Sequence, residues 1–84
     1  MNFISLGAGC SIGDGAVIYL VENGPTVVGE HCVVGQRAVL QGGTIEPRSL
    51  NGIQATMLDG AVIGYRSIVG AGAVIFARSL IPPL

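Results

Sequence analysis

The side chains able to do chemistry are few and widely spaced. One histidine (His31), two cysteines (Cys10 and Cys32), five acids and four arginines make up the reactive and charged inventory of an 84-residue chain. A general base needs an imidazole or carboxylate held in a cleft, but the repeat described below puts His31 on a corner facing solvent, as an ordinary turn residue. Gly7-Ala8-Gly9, Gly13-Asp14-Gly15 and Gly70-Ala71-Gly72 begin like a dinucleotide fingerprint. None has the further glycine three residues on, and no helix pattern follows, so they read as corners. Cys10 and Cys32 fall on equivalent inward positions one coil apart. A disulfide can span that separation, but parallel stacking aims both Cβ atoms the same way, so buried free thiols in a reducing compartment are expected. All four arginines fall on corners, with Arg48 and Arg66 stacked, which reads as a solvated or salt-bridged edge rather than an anion-binding ladder.

Composition narrows the class. Hydrophobic residues make up 50% of the chain and charged ones 11%, with a net charge of −1 and 14 glycines. A disordered segment would carry more charge and less Val, Ile and Leu. Nothing basic enough for nucleic acid or an anionic membrane is present. Asp14, Glu22, Glu30, Arg37, Glu46, Asp59 and Arg66 break every long apolar run, which argues against a membrane span. No Lys or Arg precedes Arg37, as a secretory leader would require. Leu6 stands four residues before Cys10 rather than the three of a lipoprotein box. A cytoplasmic location is expected.

What must position these residues is a repeat. Aliphatic residues recur every six, at Leu6, Ile12 and Ile18, then Val28, Val34 and Leu40, then Ile45 through Met57, Ile63, Val69, Ile75 and Ile81, with Asn51 as the polar exception. Two residues earlier stands a small one: Cys10, Ala16, Cys32, Ala38, Ser49, Ala55, Ala61, Ser67, Ala73 and Ser79. Alternate strand residues share a face, so each pair points inward, and the remaining residues turn a corner with help from glycine. Three sides close a triangle, and coils stack at roughly 4.8 Å. The chain is thus expected to be a single all-β domain over residues 1–84, a parallel β-helix of a little over four triangular coils with no capping helix. Two irregularities mark it: Ile18 to Val28 spans ten residues, giving a corner loop at 19–27, and Leu40 to Ile45 spans five. Asn51 is expected to be hydrogen-bonded.

The pattern resembles the hexapeptide repeat of left-handed parallel β-helix proteins, and the left hand is taken from that resemblance. Within the fold the chain resembles the γ-class carbonic anhydrases. The residues that carry this are Pro25-Thr26-Val27-Val28-Gly29-Glu30-His31-Cys32-Val33-Val34-Gly35-Gln36-Arg37-Ala38-Val39-Leu40-Gln41-Gly42-Gly43-Thr44-Ile45, with Ala55-Thr56-Met57-Leu58-Asp59-Gly60-Ala61-Val62-Ile63-Gly64 and Ile68-Val69-Gly70-Ala71-Gly72-Ala73-Val74. The loop before Pro25-Thr26 and the shortened side after Leu40 match as well.

The resemblance implies a zinc held by three histidines at positions that here carry Tyr19, Gln36 and Gln41. Asp14 matches, but Gly13 replaces the Gln before it. The family's amino-terminal Arg- and Asp-bearing coils and its carboxy-terminal helix have no counterpart in these residues. Catalytic zinc needs three strong ligands and an open fourth position, whereas neutral amides are weak ligands and a phenol of pKa about 10 seldom ionises. No metal, cofactor or catalytic residue is therefore expected. Tyr19, Gln36, Gln41 and Asp14 become candidates for binding a small polar metabolite at a subunit interface. Two other readings are a hexapeptide-repeat acyltransferase and a residual carbonic anhydrase with a recruited metal.

The residues between inward pairs, Val17, Val27, Val33, Val39, Leu50, Thr56, Val62, Ile68, Val74 and Leu80, face outward. So does the column Tyr19, Gln41, Leu58 and Phe76, with Ile53 on the neighbouring side. So much outward apolar surface marks an interface, and the resemblance implies a homotrimer. Self-association, a polar metabolite and neither nucleic acid nor membrane are the expected partners.

Overall fold

The computed structural model describes residues 2–22 and 24–84. Asn23, in the expected corner loop, lies outside the described residues, as does Met1. The strands run β1 (Ile4–Leu6), β2 (Ser11–Ile12), β3 (Val17–Tyr19), β4 (Thr26–Val28), β5 (Val33–Val34), β6 (Val39–Gln41), β7 (Gly43–Ile45), β8 (Leu50–Asn51), β9 (Thr56–Met57), β10 (Val62–Ile63), β11 (Ile68–Val69), β12 (Val74–Ile75) and β13 (Leu80–Ile81). Every third strand joins the same sheet. The first sheet is β1-β4-β7-β10-β13, the second β2-β5-β8-β11 and the third β3-β6-β9-β12. All pairings are parallel, as Leu6↔Val28↔Ile45 and Ile45↔Ile63↔Ile81 illustrate. The chain is a left-handed parallel β-helix of about four turns, with no helix among the described residues.

The triangular interior takes the repeat's two inward classes. Val28, Val34, Leu40, Ile45, Met57 and Ile63 are almost wholly buried, with Cys32, Ala38, Ala55 and Ala61 in the small positions. Each buried large side chain contributes about 1.5–3 kcal/mol. The first coil is less covered, so Leu6 and Ile12 are exposed although they hold inward positions.

Glycine does two different jobs at the corners. The glycines that follow inward aliphatics on the first two sheets do not take unusual backbone angles. Gly13 and Gly35 have no positive φ; a Cβ on Gly13 would lie 2.5 Å from Gln36 N, so stacked backbone leaves no room for one. The left-handed residue is instead the one just before each small inward residue. Gly9, Gly15, Gly60 and Gly72 take it at φ 71–73°, while His31, Arg37, Arg48, Gln54, Arg66 and Arg78 take it at φ 55–62°. All four arginines fall on these corner positions. The five-residue side is closed by Gly42 and Gly43 at φ 83° and 90°, where a Cβ on Gly43 would meet Ala61 O at 2.5 Å.

The small inward column of the second sheet is a ladder of donors. Cys10 Sγ donates to Gly29 O at 3.0 Å, Cys32 Sγ to Glu46 O at 3.1 Å, Ser49 Oγ to Gly64 O at 2.7 Å and Ser67 Oγ to Pro82 O at 2.6 Å. Each gives a corner carbonyl a side-chain donor, and Gly64 O accepts from Ser67 N at 3.1 Å as well. Both cysteines are free thiols, as the stacking argument requires.

Asn51 departs from expectation. It occupies the inward position between Val34 and Val69, is 0% exposed, and neither its amide oxygen nor its nitrogen has a partner among the described residues. Neighbouring inward side chains in its column are aliphatic, and the nearby Ser49 hydroxyl is already committed to Gly64 O and Ser67 N.

Candidate functional site

The three edges of the prism are not equivalent. On the first and second sheets the residue after the inward aliphatic is mostly glycine, as at Gly7, Gly13, Gly29, Gly35, Gly52, Gly64 and Gly70. On the third sheet that position never is. It carries Tyr19, Gln41, Leu58 and Phe76, one above another along the edge where the third sheet turns back to the first. Both length irregularities, the 20–25 connection and the Gly42-Gly43 corner, fall on this same edge. On the third edge the position directly after the inward aliphatic thus carries a side chain at every rung.

The structure brings together some of the candidate residues and separates others. Tyr19 and Gln41 are direct neighbours, because Ile18↔Leu40 and Tyr19↔Gln41 pair in register. Tyr19 is 47% exposed and Gln41 half-buried. The loop that follows Tyr19 is tied down by Thr26, whose hydroxyl donates to Tyr19 O at 3.1 Å. Gln36 and Asp14 form a second pair, both exposed, because Ile12↔Val34 places each two residues further on. Arg37 N donates to Asp14 O at 3.0 Å, which holds these corners in step. The two pairs lie at opposite ends of the third sheet's strands, so one chain does not unite Gln36 with Tyr19 and Gln41.

Two recesses flank this geometry. One of about 130 Å³ lies beside the third edge, lined by Val21, Pro25, Thr44 and Asp59 among others. Asp59 is the carboxylate that sequence reasoning passed over; its place directly after Leu58 in the edge column was the available signal. The larger, about 410 Å³, lies on the outer face of the second sheet between Val33, Leu50, Ile53 and Ile68. It is apolar and offers no reactive group.

The donor set does not fit zinc. Tyr19 and Gln41 offer a phenol and an amide, and Gln36 stands across the sheet. His31 belongs to the edge between the first and second sheets, its ring stacked over Gly9. The thiols are turned inward onto carbonyls. Among the described residues no three His, Cys, Asp or Glu side chains gather where a metal could be held. No helix there is long and apolar enough to cross a membrane.

Comparison with known proteins agrees with this architecture. No protein-family model matches the chain. It is 33% identical over 88 residues to gamma carbonic anhydrase 1, mitochondrial, of Arabidopsis thaliana, covering 98% of the chain and 32% of that protein. Identity to gamma carbonic anhydrase 2, mitochondrial, of the same plant is also 33% over 88 residues, at the same coverage. Carnitine operon protein CaiE of Escherichia coli is 41% identical over 64 residues, 76% of the chain and 33% of CaiE. The chain thus spans about a third of the length of these relatives. Repeat, solenoid and relatives together identify it as a hexapeptide-repeat protein similar to the γ-class carbonic anhydrases.

Proposed function

We propose that the chain is a non-catalytic, metal-free binding or structural module of γ-carbonic-anhydrase type, working as a homotrimer. Its site is the contact between two protomers, where Tyr19 and Gln41 of one face Gln36 and Asp14 of the next. The observation that supports this reading is the register itself. Tyr19 and Gln41 stack on the edge where the third sheet turns back to the first, and Gln36 stands at the far end of the same sheet, where only another copy can bring it near. Amides supply both donors and acceptors and the phenol adds another of each, so the contact suits a small polar metabolite.

Elemental analysis together with a CO2 hydration assay tests this. Purified protein should carry no stoichiometric zinc and hydrate CO2 no faster than buffer. One zinc per site with hydration above background overturns the proposal.

A further inference from the structure

The soft donors of the chain lie inside the prism, away from the third edge. Cys10 and Cys32 hold the same small inward position in consecutive coils, because Ser11 and Val33 pair in parallel register and Ser11 N donates to Cys32 O at 2.9 Å. Cys10 is half-buried and Cys32 is 0% exposed. Their sulfurs lean the same way, each donating to a corner carbonyl of the next coil, Gly29 O at 3.0 Å and Glu46 O at 3.1 Å. Side chains that lean alike on neighbouring strands keep the strand separation of about 4.8 Å between equivalent atoms.

That separation decides what two thiols can do together. A disulfide needs Cβ atoms about 3.8 Å apart and sulfurs about 2.05 Å apart, which parallel rungs do not offer. Tetrahedral zinc needs a full set of ligands, and the next donor in the column, Ser49 Oγ, is committed to Gly64 O and Ser67 N. Two thiolate–metal bonds of about 2.3 Å laid end to end span about 4.6 Å, close to the rung separation. The spacing therefore suits a cation that takes two sulfurs in line, and the soft, thiolate-preferring monovalent ion of that kind is copper(I).

We propose that Cys10 and Cys32 bind one copper(I) ion between them, as a linear dithiolate on the inner face of the second sheet. Binding breaks two S–H bonds and forms two S–Cu bonds; both protons pass to solvent and the copper stays in its +1 state. Burial opposes the Cys32 thiolate, but backbone N–H groups of Ser49, Arg48 and Gly29 against its sulfur favour it. Each thiol gives up only a weak S–H donation, and half-buried Cys10 is the side from which the pair is reached. The site depends neither on self-association nor on the third edge, whose donors do not suit zinc.

Anaerobic titration of the reduced chain with copper(I), supplied as its acetonitrile complex, tests this. One copper per chain should remain after gel filtration with the protein's elution unchanged, and about two protons should be released for each copper bound. Tm should rise, because an ion that favours the native state stabilises it, and zinc offered in the same way should not be retained. Cys10→Ser and Cys32→Ser should each lose the copper. X-ray absorption of the loaded wild type, which needs no variant to fold, should show two sulfur neighbours and no third ligand. Copper kept by either single variant, copper that joins two chains, a third ligand, a Tm that falls on loading, or no retention by the wild type overturns the site.

Discussion

Replacing Asn51 with Val should make this protein more stable. The carboxamide is 0% exposed, and both of its polar atoms lack a partner among the described residues. A buried amide that forgoes water without a replacement bond costs about 1–3 kcal/mol on mutational scales. Valine suits the slot, because the rungs on either side are Val34 and Val69, 1% and 4% exposed. Overpacking can return part of the gain, so a net stabilisation of about 1–2 kcal/mol is expected. In a domain of this size each kcal/mol moves Tm by about 4–8 °C, so the variant should melt roughly 5–15 °C higher. The assay is reversible thermal unfolding, with wild type and variant at one protomer concentration because association also shifts Tm. A variant that melts at or below the wild-type temperature refutes the reasoning, and would mean that the amide is hydrogen-bonded in solution.

The remaining predictions concern the ladder and the corners. Ser49→Ala removes one donor to Gly64 O and one acceptor for Ser67 N, while Ser67 N still donates to Gly64 O at 3.1 Å, so it should cost about 0.5–1.5 kcal/mol in urea unfolding; Cys32→Ser should keep its rung and cost less. Gly52→Ala would set a Cβ 2.6 Å from Val69 O and should be strongly destabilising. Gly70→Ala, with nothing within 4 Å and no positive φ, should be close to neutral. Gly72→Val isolates backbone strain, because the space is equally open but φ is 73°; a loss of at least about 1 kcal/mol is expected, read from the urea midpoint. Burial raises the Cys32 thiol pKa above its ordinary 9.0. The unfolded chain then releases the proton first, so stability is full below about pH 9 and falls as pH rises beyond it. Cys32→Ser should flatten that fall.

How far the sequence discloses all this depends on the residue. The six-residue period, with small and aliphatic residues two apart, specifies thirteen sides, and thirteen strands among the described residues form them. Tyr19 and Gln41 were legible as neighbours because both follow an inward aliphatic of the same side, and pairing register carries that relation unchanged into three dimensions. The division of labour among glycines was not legible. The letter is the same whether a position needs φ above zero, as at Gly72, or merely cannot hold a Cβ under stacked backbone, as at Gly13. The donor ladder was hidden for a similar reason. Cys10, Cys32, Ser49 and Ser67 satisfy the demand for small volume just as alanine does, and only the corner carbonyls show why one column needs donors. Asn51 misled in the opposite way, since a buried amide is ordinarily paired.

Restoring three histidines tests the central claim most directly. The claim is that Tyr19, Gln36 and Gln41 occupy the positions of a metal site that spans two copies of the chain. The variant Tyr19→His, Gln36→His, Gln41→His should bind one zinc per protomer, measured by elemental analysis after gel filtration. The zinc should elute with the assembled form on that column and not with a monomer. Zinc-free triple variant of wild-type stability, or zinc retained by a monomer, contradicts the account.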